Sequence, residues 1–522
     1  MTATTATLII LVVYIAIMIS IGFYTSRKTK SAEDFMLGGR SVGGWLTAFS
    51  YGTTYFSAVV FIGYAGQIGW SYGVSAAWIG IGNALLGSML PWLILGRRTR
   101  LMTNQIQAKT MPDYFGKRFG SNKLKTVAAA VVFIFLIPYT ASVYNGLSRL
   151  FGMVFDLGDN GYVYIIIAMA VLSAIYVILG GYSATALNDF FQGMIMLVGI
   201  ITVVLCTLNG KGGFSSAVEQ LAEIEGQKGL GSLFGPDPVN LFGVVILTSI
   251  GTWGLPQMVQ KFYAIKNEQA IVKGTIISTI FAFVVAGGSY FMGGFLRLYC
   301  TTDASDTSKA FIDTVNGKPV FDNMVPALLD SALPDMLIGL VVVLVLSASL
   351  STLSSLVLTS SSTLTNDLIK PRVKNFTDKN QMIVMRVLIA VFLFISVFIA
   401  CNKNASISTL MSYSWGALSG SFLGPFMWGL FSKKTTKVAC VTSFCTGVGI
   451  TLTHMLLFSF NIEAFSGIKQ AVVDMNLSFN LLSPINAGAF AMLISIIEVP
   501  IISMFTKKPD AKIVDYAFEC LK

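Results

Sequence analysis

The chain has 522 residues, of which 54% are hydrophobic and only 11% are charged. Soluble globular proteins carry about 25% Asp, Glu, Lys and Arg, so the composition excludes a disordered protein or a nucleic-acid-binding domain and argues strongly against a soluble multidomain enzyme. The six cysteines show no CxxC spacing and His454 is the single histidine, which argues against a metal ribbon, a disulfide scaffold and most His-driven catalysis. The composition indicates one polytopic membrane domain.

Apolar segments long enough to cross a bilayer recur along the whole chain. A helix needs about 20 apolar residues to cross the hydrocarbon core. Thirteen spans are predicted, at residues 6–25, 41–71, 74–96, 124–154, 160–180, 184–208, 238–264, 269–299, 336–366, 382–401, 405–431, 435–459 and 483–506. Because no low-complexity linker divides them, residues 1–522 are predicted to form a single domain.

The distribution of positive charge predicts the orientation. With the N-terminus outside and thirteen spans, 27 of the 35 basic residues fall on the inner side, as the positive-inside rule requires. Lys261 is counted among these inner loop residues. The two longest outer connections, 209–236 and 300–335, each hold an amphipathic stretch, which predicts short surface helices at 214–224 and 325–333.

Two spans are interrupted by polar or helix-breaking residues. Ser50–Ser57 breaks the apolar run of the second span, where Gly52 predicts local unwinding. Gly251–Pro256 breaks the seventh, because proline lacks a backbone donor and clashes with the preceding turn. The two breaks lie five spans apart, and paired interruptions of this kind point to a transporter site at the bilayer midplane. Packing through small residues is the alternative.

Hydroxyl and carboxyl groups occur inside other spans. In the ninth, Ala348, Ser351, Thr352 and Ser355 follow a spacing of three and four residues and therefore share one helix face. Such oxygen ligands, without cysteine or histidine, suit a hard cation, although a packing seam is the alternative. Asp189 in the sixth span is predicted to pair with a cation or with hydroxyl groups.

These features resemble the sodium/solute symporter family, and most closely its sodium/proline symporter branch. The resemblance covers nearly the whole chain. It is strongest at Asp34–Arg40, at Gly180-Gly181 with Asp189 and Gln192, at Ser351–Ser355 and at Asp367–Lys370.

The resemblance implies an all-α polytopic protein with a leucine-transporter-type core of two inverted five-helix repeats. The ten-helix core would occupy about 41–431, preceded by an extra helix at 6–25 and followed by two more at 435–506, with the N-terminus outside and the C-terminus inside.

The resemblance also implies sodium ligands. A first sodium site would use the carbonyls of Thr53, Phe56 and Ala348 and the side chains of Ser351 and Thr352. Some members have a second site, whose pattern is matched here by Asp189, Ser351, Ser354 and Ser355.

By analogy, the solute would lie between the first, second, third, sixth and tenth core helices. The implied solute-binding residues are Tyr55, Ser57, Trp78, Tyr139, Thr252, Trp253, Ser414 and Trp415. Two departures bear on the solute: the proline branch has an aspartate where this chain has Tyr55, and aromatic residues near Thr248 and Thr252.

The function implied is a sodium-coupled secondary active symporter, not an enzyme, that imports a small organic solute, a proline-like amino acid, by alternating access. The alternatives are a monocarboxylate, a sialic-acid-like or other sugar-like solute, or a proton-coupled carrier with Asp189 as proton acceptor. The expected partners are the solute, Na+ and membrane lipid, with no nucleic acid. The protein is expected to act as a monomer in the cell membrane, specifically a bacterial inner membrane.

Overall fold

A computed structural model describes residues 3–155, 158–224, 226, 229–315, 317–401, 406–460 and 462–521. In chain order its α-helices are α1 Ala3–Ser26, α2 Ala32–Leu37, α3 Gly44–Tyr55, α4 Ala65–Tyr72, α5 Ala77–Ala84, α6 Arg97–Gln105, α7 Met111–Arg118, α8 Asn122–Phe155, α9 Gly158–Asn209, α10 Phe214–Ala222, α11 Pro238–Val245, α12 Pro256–Ala264, α13 Glu268–Gly293, α14 Met324–Ala332, α15 Asp335–Thr363, α16 Asp378–Ala400, α17 Ile407–Phe431, α18 Lys437–His454, α19 Ser466–Asp474, α20 Pro484–Phe505 and α21 Ala511–Phe518.

The only strands within the described residues are four of two residues each. They are β1 Cys300–Thr301, paired in parallel with β2 Ala310–Phe311, and β3 Thr314–Val315, paired antiparallel with β4 Lys318–Pro319. They lie in the second long connection. The helices predicted at 214–224 and 325–333 are found as α10 and α14.

Ten helical stretches of the described chain are long and apolar enough to cross a membrane. Val59–Gln105 has 47 residues and Gly161–Asn209 has 49. At about 1.5 Å per residue, a straight helix of either length would measure roughly 70 Å, about twice what a bilayer needs. The prediction of a helical, multi-pass membrane protein is confirmed.

A kink at Gly181 divides the longer of these stretches, inside α9. Gly181 has φ 54° and ψ −142°, a conformation open almost only to glycine, and an added Cβ would lie 2.6 Å from the Phe35 carbonyl oxygen. We therefore expect Gly181→Ala to destabilise the protein by about 1–3 kcal/mol, measured as a lower melting temperature in detergent. Gly449→Ala is the control, because a Cβ there meets nothing within 4 Å.

Both predicted interruptions occur, but one lies at a different residue. Between α11 and α12 the chain forms a π-helical turn, Ile246–Ile250, and a 3-10 turn, Gly251–Trp253, before α12 starts at Pro256. The prediction of unwinding at Gly52 is wrong, since α3 is regular through Tyr55 and the break falls at 56–57. Gly52 instead serves packing, as a Cβ would lie 2.4 Å from the Phe281 ring.

Small residues let the long helices approach closely. Helix α15 packs against α9, α8 and α1, and α17 packs against α20, α18 and α8. A Cβ on Gly447 would lie 2.3 Å from the backbone of α17, and one on Gly69 only 2.1 Å from Gly293. Close backbone approach of this kind is how helices associate in lipid.

The Asp34–Arg40 segment builds a turn outside the long helices. Asp34 closes a capping box with Ser31, and Arg40 pairs with Glu33 at 2.9 Å. Burial raises the pKa of Glu33, but hydrogen bonding to Arg40 and the charges of Lys109 and Arg40 outweigh burial, so its pKa is lowered overall. The motif therefore fixes the entry into α3 and contributes no ligand to the sites described below.

Candidate sodium and solute sites

The hydroxyl face predicted on the ninth span is directed at the end of α3. Ser351 Oγ donates to the Thr53 carbonyl at 3.0 Å, and also lies 3.1 Å from the Ala348 carbonyl. Thr352 Oγ1 lies 3.1 Å from the Ala348 carbonyl and 3.4 Å from that of Thr53. Four of the five residues predicted for the first sodium site therefore meet at one point.

Phe56, the fifth, lies at the break that follows α3. Its φ of −102° and ψ of 89° are not helical, and it lines one small cavity together with Ser57 and Ala348. Carbonyls at a helix break are free to bind a cation, and the hydroxyls can rotate their protons away to offer lone pairs. The arrangement suits a small cation that prefers oxygen ligands.

Asp189 of α9 is fully buried and faces α3 and α12. Its carboxylate accepts a hydrogen bond from Ser50 of α3 and lies 4.0 Å from Lys261 Nζ. Ser355 contacts Lys261 Nζ at 2.9 Å, while Ser354 donates to the Ser351 carbonyl at 2.9 Å. Two of the residues predicted for a second sodium site, Asp189 and Ser355, therefore both contact the Lys261 ammonium.

Lys261 is the residue whose placement from sequence is wrong. The charge count put it in an inner loop, but it lies within α12 with a side chain only 2% exposed. The signal that could have revealed it is the spacing of Gln257, Gln260 and Lys261, which places three polar residues on one helix face. Ser50 was also missed as a partner of Asp189.

Most of the predicted solute-binding residues form one buried aromatic cluster. The rings of Tyr55 and Trp415 lie 6.3 Å apart, and those of Tyr139 and Trp415 meet edge to face at 5.9 Å. Tyr55 stacks on Phe56 at 4.2 Å, so the cluster adjoins the first cation site. Tyr55, Tyr139 and Trp415 are each 1% exposed, and the cluster is closed to solvent.

The polar members surround this cluster through backbone contacts. Tyr55 donates to the Thr248 carbonyl at 2.5 Å, Thr252 to that of Gly87 at 3.0 Å, and Ser414 to that of Phe135 at 2.5 Å. Ser57 lies in the break and lines the same small cavity as Phe56. These hydrogen bonds fix the positions of Tyr55, Thr252 and Ser414.

One predicted residue, Trp78, lies away from this cluster. Trp78 is 38% exposed, stacks on Phe234 at 6.4 Å and donates to the Leu233 carbonyl at 2.8 Å. It is held by the first long connection and does not join the cluster, so its assignment to the solute site is not supported. Trp253 is partly buried and donates to the Leu86 carbonyl at 2.8 Å.

A statistical description of the Sodium:solute symporter family matches residues 35–447 of the chain. The chain belongs to the sodium:solute symporter family. The match spans both helix breaks and all residues predicted for the two sodium sites.

Relatives agree with this family, and solved structures share the fold. The chain is 28% identical to sodium/proline symporters of Staphylococcus aureus strains JH9 and NCTC 8325, over 97% of this chain and 94% of each relative. It is similar in fold to a Na+-coupled sialic acid symporter in a substrate-bound outward-open state, with a TM-score of 0.70 and 17% identity over 97% of this chain and 99% of the other. A nucleobase-cation-symport-1 family transporter in a closed conformation is also similar in fold, with a TM-score of 0.50. It is 15% identical over 92% of this chain and 97% of the other.

This sodium:solute symporter is therefore a sodium-coupled transporter and not an enzyme. Its fold is that of leucine-transporter-type carriers, and Na+ is its coupling ion. Sodium and a solute are its partners.

Proposed function

We propose that the chain imports a proline-like amino acid together with sodium bound by Thr53, Phe56, Ala348, Ser351 and Thr352. The observation that supports this most is the convergence of the Ser351 and Thr352 hydroxyls on the Thr53 carbonyl beside a broken helix. A cation bound there would join α3 to α15 and favour one orientation of the carrier. Coupling requires that binding differ between the two orientations.

The free energy released when one sodium enters the cell limits how far a solute can be concentrated. One charge is worth about 2.3 kcal/mol per 100 mV, and a tenfold gradient adds about 1.4 kcal/mol. Together these supply roughly 3.7 kcal/mol, enough to concentrate a neutral solute several-hundredfold. A zwitterionic amino acid is such a solute.

The aromatic cluster offers one donor that suits a carboxylate. Trp415 is buried beside Tyr139, and within the described part of the chain its Nε1–H makes no well-formed hydrogen bond. A buried donor without a partner carries a free-energy penalty of about 1–3 kcal/mol, which an acceptor on the solute would remove. Tyr55 and Tyr139 would cover the apolar part of a ring such as that of proline.

Replacing Trp415 tests this role. We expect Trp415→Phe to raise the half-saturating concentration of proline at least about tenfold, because a hydrogen bond to a charged group contributes about 1.5–3 kcal/mol, with the half-saturating sodium concentration little changed. Uptake into proteoliposomes measures both. Trp428→Phe is the control, since Trp428 Nε1 on the same helix already donates to the Ile496 carbonyl at 2.8 Å. Equal effects of the two variants would contradict the role.

The identity of the solute can be tested by screening candidate ligands directly. Thermal stability of the purified protein with amino acids, short monocarboxylates and sialic acids, with and without sodium, should show stabilisation by proline that depends on sodium. Stabilisation by a monocarboxylate or a sialic acid, without stabilisation by proline, would show that the solute is not a proline-like amino acid. Uptake driven by a pH gradient without sodium would favour the proton-coupled alternative.

For the whole chain we propose thirteen spans in one domain, with the N-terminus outside and the C-terminus inside. Counting Val59–Gln105 and Gly161–Asn209 as two spans each turns the ten stretches into twelve, and the 25-residue helix α17, Ile407–Phe431, would be the thirteenth. The protein would act as a monomer in a bacterial inner membrane, in contact with lipid and without a nucleic-acid partner. Accessibility of single introduced cysteines from each side of the membrane tests the topology.

A further inference from the structure

Lys261 is a buried cation on α12 that contacts three other helices. From α12 its Nζ lies 2.8 Å from Ser50 Oγ of α3 and 2.9 Å from Ser355 Oγ of α15, and 4.0 Å from Asp189 Oδ2 of α9. It also lies 5.3 Å from the centre of the Tyr182 ring. Within the described chain, Asp189 is the only carboxylate that it pairs with.

The hydrogen bonds around Lys261 fit a protonated amine. An ammonium group has three donors and no acceptor, and Ser50 and Ser355 each accept from it. Each hydroxyl can then donate onward, Ser50 to the Asp189 carboxylate and Ser355 to Thr54 Oγ1 at 2.8 Å. The two hydroxyls are therefore satisfied around one internal positive charge, whereas Asp189 Oδ1 has no hydrogen-bond partner among the described residues.

The same oxygens would be ligands of a second sodium. Asp189 and Ser355 belong to the residues matched to a second site, and Lys261 Nζ contacts both. A sodium bound there would face the ammonium at close range, and one carboxylate cannot balance two neighbouring positive charges. An exposed pair would separate into water, but Lys261 and Asp189 are 2% and 0% exposed.

We propose that the Lys261 ammonium takes the place of a second sodium, so that this symporter binds one sodium per chain, at the first site. The inference rests on the proposed function for that first site only. The lysine would keep α3, α9, α12 and α15 joined at the Asp189 end without an exchangeable ion there. The coupling ratio of this chain would then be one sodium per solute.

The unmodified protein provides the first test, with sodium alone as the probe. Equilibrium binding of radioactive sodium to the purified full chain should saturate at one ion per chain, and Ser351→Ala with Thr352→Ala should move that saturation to sodium concentrations roughly 30- to 150-fold higher. Saturation at two ions would overturn the inference and leave the first site intact. Absence of any saturable binding would overturn the first site itself, so the two failures are distinguishable.

Variants of the pair provide the second test. Lys261→Ala should raise the binding to two ions per chain, and Lys261→Ala with Asp189→Asn should return it to one. Lys261→Arg keeps the charge and should stay at one, as should Lys266→Ala, whose side chain is exposed. Retained binding at the first site shows that a variant is folded. A folded Lys261→Ala protein that still binds one ion would contradict the claim that the ammonium excludes a second.

Discussion

Ser351→Ala combined with Thr352→Ala is expected to raise the sodium concentration for half-maximal uptake roughly 30- to 150-fold. The double variant removes two of the five proposed oxygen ligands and leaves the carbonyls of Thr53 and Ala348 in place. If each hydroxyl contributes about 1–1.5 kcal/mol to sodium binding, the loss is about 2–3 kcal/mol. Sodium-dependent uptake of proline into proteoliposomes, at a series of sodium concentrations, measures the change.

A matched control lies on the same helix. Ser349 is fully buried, but its hydroxyl donates to the Val345 carbonyl of its own helix at 2.8 Å and does not reach α3. Ser349→Ala removes one hydroxyl at the same depth and should leave the sodium dependence unchanged. Unaltered sodium dependence in the double variant would show that the first site is assigned to the wrong residues.

The hydroxyl face could be predicted because it depends on one helix alone. The spacing of Ala348, Ser351 and Thr352 fixes their common direction once the segment is helical. The break before Pro256 was equally predictable, since proline cannot continue a helix from the preceding turn. Both features are properties of a short stretch of chain.

The features that failed depend on contacts between distant segments. Gly52 could be a point of unwinding or of close packing, and only the position of Phe281 decides between them. Trp78 was assigned by analogy to the solute site, but Phe234 in a distant connection holds it. Lys261 followed the rule for loop charges, and its burial became visible only with Asp189 and Ser355 beside it.

A second ion-paired cluster joins α7, the start of α8 and the turn at 364–369 that follows α15. Lys125 bridges Asp113 at 2.7 Å and Asp367 at 3.2 Å, and the two carboxylates are 4% and 0% exposed. Asp367 also accepts a hydrogen bond from Thr110 at 2.5 Å. The lysine therefore joins α7 and α8 to the segment after α15.

Lys125→Met is expected to destabilise the protein by about 3–5 kcal/mol, because it leaves the buried Asp367 carboxylate without its cation. Lys117→Met is the matched control: Lys117 also pairs with Asp113, at 3.0 Å, but is 40% exposed, and exposed pairs contribute about 0–1 kcal/mol. Melting temperatures in detergent should fall clearly further for Lys125→Met. Adding Asp367→Asn should restore part of the loss, since it removes one unpaired charge. Equal melting temperatures for the two lysine variants would mean that Lys125 does not stabilise the buried carboxylates.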